Sequence, residues 1–185
     1  MWSSPLIWIV IAIVLFWAVG AHNRLVRLRS AVVQAFGSLD AHLVRWLAML
    51  GEFDAAQATA GTLDREARST LQGATTQLTA SLAVVRAYPL QGDAVAALSA
   101  ACAVLDAVWP NLQPGGDPGD ALRKMAPWRV RWDELRNHNE QAARIFNEAV
   151  LHYNTAIGQF PAVLLAWVFG FSPARALSIA REGNS

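Results

Sequence analysis

The chain has 185 residues, of which 54% are hydrophobic and 16% charged, and its net charge is +1. This length predicts one domain with a small appendage, and so apolar a composition excludes an intrinsically disordered chain. A net charge near zero provides no general attraction to nucleic acid, so we expect no nucleic-acid partner. Cys102 is the single cysteine, which excludes an internal disulfide.

The first segment predicts a membrane anchor over residues 1–22. It contains no Asp, Glu, Lys or Arg, and residues 6–19 are apolar without interruption. A helix needs about 20 residues to cross a bilayer, and Trp2 and Trp17 stand near its two ends, where interfacial tryptophans are favoured. We therefore expect residues 5–21 to contact the lipid bilayer as a single transmembrane helix. A cleaved signal peptide is the alternative, and the lack of a basic amino-terminal region argues against it.

Three arginines follow the anchor at once. Arg24, Arg27 and Arg29 precede the first acidic residue, Asp40. Basic residues beside a transmembrane helix favour the cytoplasmic side of the membrane. We therefore expect the amino terminus outside the cell and the rest of the chain in the cytoplasm. The alternative interpretation of these arginines is a solvated helix face.

The next predicted helix has one buried seam, as in a coiled coil. Its apolar residues are spaced by three or four: Leu25, Leu28, Val32, Ala35 or Phe36, Leu39, Leu43, Trp46, Leu50 and Phe53. No proline separates this helix from the anchor, so the sequence predicts one continuous rod. Gly51 is a weak point within it.

Two further stripes predict two more helices. The second stripe contains Leu63, Ala67, Leu71, Ala74, Leu78, Leu82 and Val85, and the third contains Val95, Leu98, Cys102, Leu105 and Trp109. Tyr88-Pro89 ends the second helix, because proline cannot continue it. Cys102 lies on an apolar stripe without cationic neighbours, so we expect an unreactive core thiol.

A loop and a fourth helix follow. Residues 110–126 are predicted as a loop, since their first part is dense in proline and glycine. Pro127 is predicted to begin the fourth helix, and Pro161 to stop it. Its stripe contains Trp128, Trp132, Leu135, Asn139, Ala142, Phe146, Ala149, Tyr153, Ala156 and Phe160. Asn139, the one fully polar member, either fixes the helix register or lies at the margin of the stripe.

The end of this helix carries a recurring pattern of aromatic residues and asparagines. Its members are Phe146-Asn147, Tyr153-Asn154, Ile157, Phe160-Pro161 and Phe169-Gly170-Phe171. This order resembles the carboxy-terminal motif of the LemA family of bacterial membrane proteins, which reads Tyr-Asn, Tyr-Asn, Phe-Pro and Phe-Gly-Phe. Residues 23–43, which begin Asn-x-Leu-Val-x-Leu-Arg, resemble the same family.

The resemblance implies an all-α protein. An amino-terminal transmembrane helix would precede an antiparallel four-helix bundle over residues 23–185, with short carboxy-terminal helices, in a bacterial inner membrane. The family has no agreed biochemical activity, so the resemblance assigns no catalytic, cofactor or metal residue. We expect the motif residues to be structural.

The sequence contains no HExxH, Cys-x-x-Cys, P-loop, GxGxxG or GxSxG motif. The first hypothesis is therefore a non-enzymatic scaffold or interaction protein without a cofactor, whose partners are other membrane or envelope proteins, with self-association also possible. The second is a metal-dependent enzyme or metal-binding bundle that uses Glu134 with His138 and Glu148 with His152. The spacing of four in these pairs is more typical of surface helix pairs than of metal ligands.

Residues 160–171 are too few to cross a bilayer as a helix. Two interpretations stay open: a short helix that closes the base of the bundle, or an apolar segment with Trp167 in the interfacial layer of the membrane. Ser172-Pro173 is predicted to begin a last short helix, from about Ala174 to Arg181.

Overall fold

The computed structural model of the chain describes residues 5–60, 63–112, 118–160 and 162–178. Trp2 and Pro161 lie outside these residues. The described residues form helices and no β-strand, which confirms the predicted all-helical class. The helices are α1 (Pro5–Ala60), α2 (Arg65–Ala87), α3 (Gly92–Val108), α4 (Pro118–Gly158) and α5 (Ala162–Phe169), with a 3₁₀ turn (Trp109–Asn111) after α3.

Helix α1 is one continuous rod of 56 residues, as its lack of internal proline predicts. At 1.5 Å per residue it is about 84 Å long. Its first part, residues 7–19, exposes its large apolar side chains by 40% to 85%. From Leu25 to Phe53 the predicted stripe is buried, except for the half-buried Leu28. The rod therefore has an exposed apolar part and a part packed into the body.

Helix α4 packs antiparallel to the second part of α1. The ring centroids of Phe36 and Phe146 lie 6.1 Å apart, and those of Trp46 and Trp132 lie 4.6 Å apart. Residue numbers rise along one helix as they fall along the other, which fixes the direction. The core side of α4 includes Tyr153, so the predicted stripe faces α1 over most of its length.

Helices α2 and α3 complete the body. Asp54 pairs with Arg68 at 2.7 Å and Asp40 with Arg86 at 2.8 Å, so α2 runs back along α1. The end of α3 reaches the opposite end of the body, where Trp109 stacks on the Trp132 ring with a centroid distance of 4.4 Å. Residues from all four long helices share one hydrophobic core.

The predicted start of the fourth helix is wrong. Helix α4 begins at Pro118 and passes through Pro127, so residues 118–126 of the predicted loop are helical. Proline is well suited to the first position of a helix, and an internal proline costs one hydrogen bond. Ala121 and Met125 are buried, so packing of the first turns offsets that cost.

The predicted stripe also ends earlier than expected. Helix α4 stops at Gly158, so Phe160 lies in the following turn and is 82% exposed, not buried on the shared face. The next residue is a proline, which cannot donate the hydrogen bond that another helical turn would need. Ile157 is the last buried residue of the helix.

The predicted last helix is wrong over its described part. Residues 171–178 have no regular secondary structure, and residues 179–181 lie outside the described chain. We call residues 171–178 the terminal segment. One short helix, α5, is thus observed beyond α4 in the described residues.

Two phenylalanines of one motif provide a matched test of this fold. Phe146→Ala should lower the free energy of unfolding by about 3–5 kcal/mol, because the ring is 1% exposed in the core. Phe160→Ala should lower it by about 0.5 kcal/mol or less, because that ring is on the surface. Denaturation of the full-length protein in detergent, followed by circular dichroism, measures both. Equal losses of unfolding free energy would contradict the burial of Phe146 and the exposure of Phe160.

Candidate functional site

Two asparagines of α4 hold the terminal segment. Asn154 donates from Nδ2 to the Ala174 carbonyl at 2.8 Å, and its Oδ1 accepts from the Ala174 N–H at 2.9 Å. Asn147 makes the same pair of bonds with Leu177, at 2.8 and 2.7 Å. Each side-chain amide therefore satisfies both backbone groups of one residue.

The spacing of the motif explains why this segment is extended. Asn147 and Asn154 are seven residues apart, which is about 10.5 Å along a helix. Ala174 and Leu177 are three residues apart, which is about 10 Å in an extended chain but only about 4.5 Å in a helix. A helix from Ala174 onward could not reach both asparagines, which is the physical reason that the predicted last helix is absent.

Two hydroxyl groups fix the terminal segment further. The Tyr153 hydroxyl donates to the Ser172 carbonyl at 3.0 Å, and Ser99 Oγ of α3 accepts from the Ser178 N–H at 3.1 Å. Burial raises the pKa of Tyr153, against a smaller opposite effect of Arg29, so the hydroxyl keeps its proton at neutral pH. The sequence motif includes Tyr153 but does not reveal its partners in the terminal segment. The visible signal of that segment was the seven-residue spacing of Asn147 and Asn154.

The Phe-Gly-Phe part of the motif ends α5. Gly170 has φ +69°, and the Phe171 N–H donates to the Ala166 carbonyl at 2.9 Å, which is the pattern of a Schellman cap. The rings of Phe169 and Phe171 contact His22 of α1, with centroid distances of 4.7 and 6.0 Å. The cap therefore joins the end of α5 to α1 just after its exposed apolar part.

The end of α5 contacts α1 close to the level at which α4 ends. Phe146 of α4 packs on Phe36 of α1. Gly158 lies twelve residues after Phe146, and Arg24 lies twelve residues before Phe36. Helix α4 therefore ends, and the connection to α5 begins, at about the height of Arg24. Phe169 in the last turn of α5 contacts His22, at nearly the same height.

A continuous apolar surface forms at this end of the molecule. We call it the apolar end: residues 7–19 of α1, Phe160, and the exposed side chains of α5. The α5 members are Val163, Leu164, Trp167, Val168 and Phe169, and Trp167 is 85% exposed. A groove of about 980 Å³ runs between α1 and Phe160, and Trp17 lies on its wall.

The predicted membrane-flanking residues lie beside this surface. Trp17 is within the apolar end, and Arg24, Arg27 and Arg29 are exposed in the following turns. Two stretches of the described chain are long and apolar enough to cross a membrane, Ile7–Thr59 and Gly92–Asn111. In the apolar 18-residue window of each stretch, the buried share is 6% for the first stretch and 39% for the second. The exposed stretch is the better candidate, because the other contributes to the core.

Asn139 behaves differently from the motif asparagines. It is 0% exposed, and neither amide atom has a hydrogen-bond partner in the described protein. The sequence left open whether Asn139 lies within the buried stripe or at its margin. The structure places it in the core. The Nε1 atom of Trp46 is also buried without a partner.

The residues of the metal hypothesis do not converge. Glu134, His138, Glu148 and His152 are all exposed on the surface of α4. His138 instead approaches His42 of α1, with ring centroids 5.9 Å apart, and burial, then Arg45 and His138, lower the pKa of His42. Within the described residues, no group of three or more His, Cys, Asp or Glu side chains could hold a metal ion.

Cys102 is enclosed in the core. Burial, with a smaller contribution from Asp106, raises the pKa of Cys102 to about 12. The thiol is therefore protonated at neutral pH and inaccessible to reagents, as its place on the apolar stripe predicts.

Comparisons with protein-family models, with curated proteins and with solved structures found no match. The likeness to the LemA family therefore rests on the motif residues themselves.

Two asparagines of α4, the half-buried Asn147 and the buried Asn139, provide a second test. Asn147→Leu should lower the free energy of unfolding by about 1–3 kcal/mol, because backbone groups of Leu177 lose both partners. Asn139→Leu, a change of similar shape, should raise it by about 1 kcal/mol, because it removes an unpaired buried amide. Thermal and denaturant unfolding of the two variants side by side measures the difference. A loss of equal size in both would mean that Asn139 has a partner of its own.

Proposed function

We propose that this protein is a membrane-anchored, non-enzymatic scaffold or interaction protein, with the LemA-like antiparallel four-helix bundle as its body. The observation that carries the proposal is the exposed apolar part of α1, residues 7–19. Exposure of such a surface to water is unfavourable. Contiguous apolar patches on soluble proteins accordingly rarely exceed a few hundred Å². A bilayer would cover it.

The dimensions of the segment support an anchor. Residues 5–21 form about 26 Å of helix, close to the roughly 30 Å of a hydrocarbon core. Arg24, Arg27 and Arg29 then follow on exposed positions, where they can meet lipid headgroups and water. Their excess of positive charge favours a cytoplasmic body and an outside amino terminus.

The arrangement of the polar motif residues supports a structural role for the motif. Asn147, Tyr153 and Asn154 all use their polar atoms on the backbone of the terminal segment. A substrate would have to displace that segment to reach them. The alternation in direction of α1, α2, α3 and α4 around one core supports the bundle.

Membrane topology tests the anchor and its orientation. A reporter fused after Ser185 should show cytoplasmic activity. Replacement of Arg24, Arg27 and Arg29 by Gln, with lysines added after Met1, should weaken or invert that orientation, because the positive charge then lies on the other flank. Protease and thiol labelling from each side of the membrane measures the outcome.

The matched control removes the same charge elsewhere. Gln at Arg65, Lys124 and Arg129, all exposed and distant from the anchor, should leave the orientation unchanged. Labelling of the wild-type carboxy terminus from outside intact cells would contradict the proposed sidedness. Recovery of the wild-type protein in the soluble fraction would contradict the anchor itself.

A scaffold also requires partners. Crosslinking in native membranes, followed by detergent extraction and purification, should recover specific membrane or envelope proteins, or a second copy. A variant that lacks residues 1–22 is the control for nonspecific capture. Recovery of the monomer alone with several crosslinkers of different length would argue against a scaffold.

A further inference from the structure

We propose that helix α5 makes a second membrane contact and lies in the interfacial layer of the bilayer, beside the point where α1 enters. This inference rests on the proposed anchor. It assigns to the lipid bilayer a surface that the anchor alone does not use.

The burial pattern of α5 differs from what bundle closure requires. A helix that closes a core turns most of its large side chains inward. Here Ala166 is buried and Leu165 is half-buried, whereas Leu164, Trp167 and Val168 are exposed. Residues 160–174 contain no charged side chain. The outward face is therefore suited to an apolar environment.

The position of α5 fits the membrane surface. The end of α5 contacts His22 of α1, where the uncharged part of α1 ends. The length of α5, about 12 Å, is too short to span the bilayer, and tryptophan is favoured in the interfacial layer. Trp167 is the most exposed side chain of the helix.

Two arginines of α1 line clefts near the two ends of α5. Arg24 lines the apolar groove together with Phe160 and Ala162. Arg29 lines a separate cleft with Phe171 and Ser172 after the end of α5. Guanidinium groups at this height can pair with lipid phosphates while the apolar side chains enter the layer below. This combination of charge and apolar surface favours a bilayer over a protein partner.

Depth-dependent quenching tests the inference on the full-length protein. We would introduce Trp167→Cys in a Cys102→Ala background, attach an environment-sensitive fluorophore, and reconstitute the protein in vesicles of phosphatidylcholine and phosphatidylglycerol. Nitroxide lipids would carry the quencher either near the headgroup or near the end of the acyl chain. Ile13→Cys in the anchor is the deep control, and Val130→Cys, 69% exposed on α4 far from the apolar end, is the distal control.

The expected result separates the three positions. The probe at 167 should show blue-shifted emission and be quenched most by the shallow nitroxide, the probe at 13 most by the deep one, and the probe at 130 by neither. Leu164→Cys repeats the measurement at a second exposed position of α5, and circular dichroism checks that each variant is folded.

Three outcomes would overturn the inference, and they are distinguishable. Quenching at 13 without quenching at 167 and 164 would leave the anchor and remove the interfacial helix. Blue-shifted emission at 167 without quenching would mean that a second copy of the chain covers α5. Absence of quenching at both 13 and 167 would overturn the anchor as well.

Discussion

The antiparallel packing of α4 on α1 positions every other part of the described chain. Both helices rise equally per residue, so the contact of Phe36 with Phe146 also determines which residues meet at the ends. Helix α4 consequently stops beside Arg24, where the exposed apolar part of α1 begins. A shift of seven residues would move this end by about 10.5 Å, into the body or deep into the bilayer.

The terminal segment depends on that same helix. An irregular segment against a helix bundle needs partners for its backbone groups, and α4 supplies them through side chains. The distance between Asn147 and Asn154, about two helical turns, equals the length of three extended residues, from Ala174 to Leu177. The terminal segment can therefore bind α4 in one register. Asn139 lies on the same helix without a partner, so its burial has no comparable compensation in the described protein.

The two ends of the molecule therefore differ in kind. At one end, ring contacts among Phe53, Trp109 and Trp132 close the core. At the other end, large apolar side chains of α1 and α5 remain uncovered by the described chain, with arginines just behind them. The polar side chains of the motif are occupied internally. This distribution supports a protein whose role is exercised through packing and membrane contact, and the proposals above follow from it.

The sequence by itself determined the helical class and the buried faces of α1 to α4, because apolar residues at helical spacing are a local property of the chain. It also determined the exposed apolar stretch and the flanking arginines. Only the tertiary structure decided that α4 begins at Pro118, that Phe160 is exposed and that the terminal segment is extended. In the first and last of these cases the deciding contacts join residues distant in sequence: Met125 packs in the shared core, and Asn154 binds Ala174 across the turn and α5. The placement of α5 against His22 likewise depends on where two long helices meet, which no local pattern encodes.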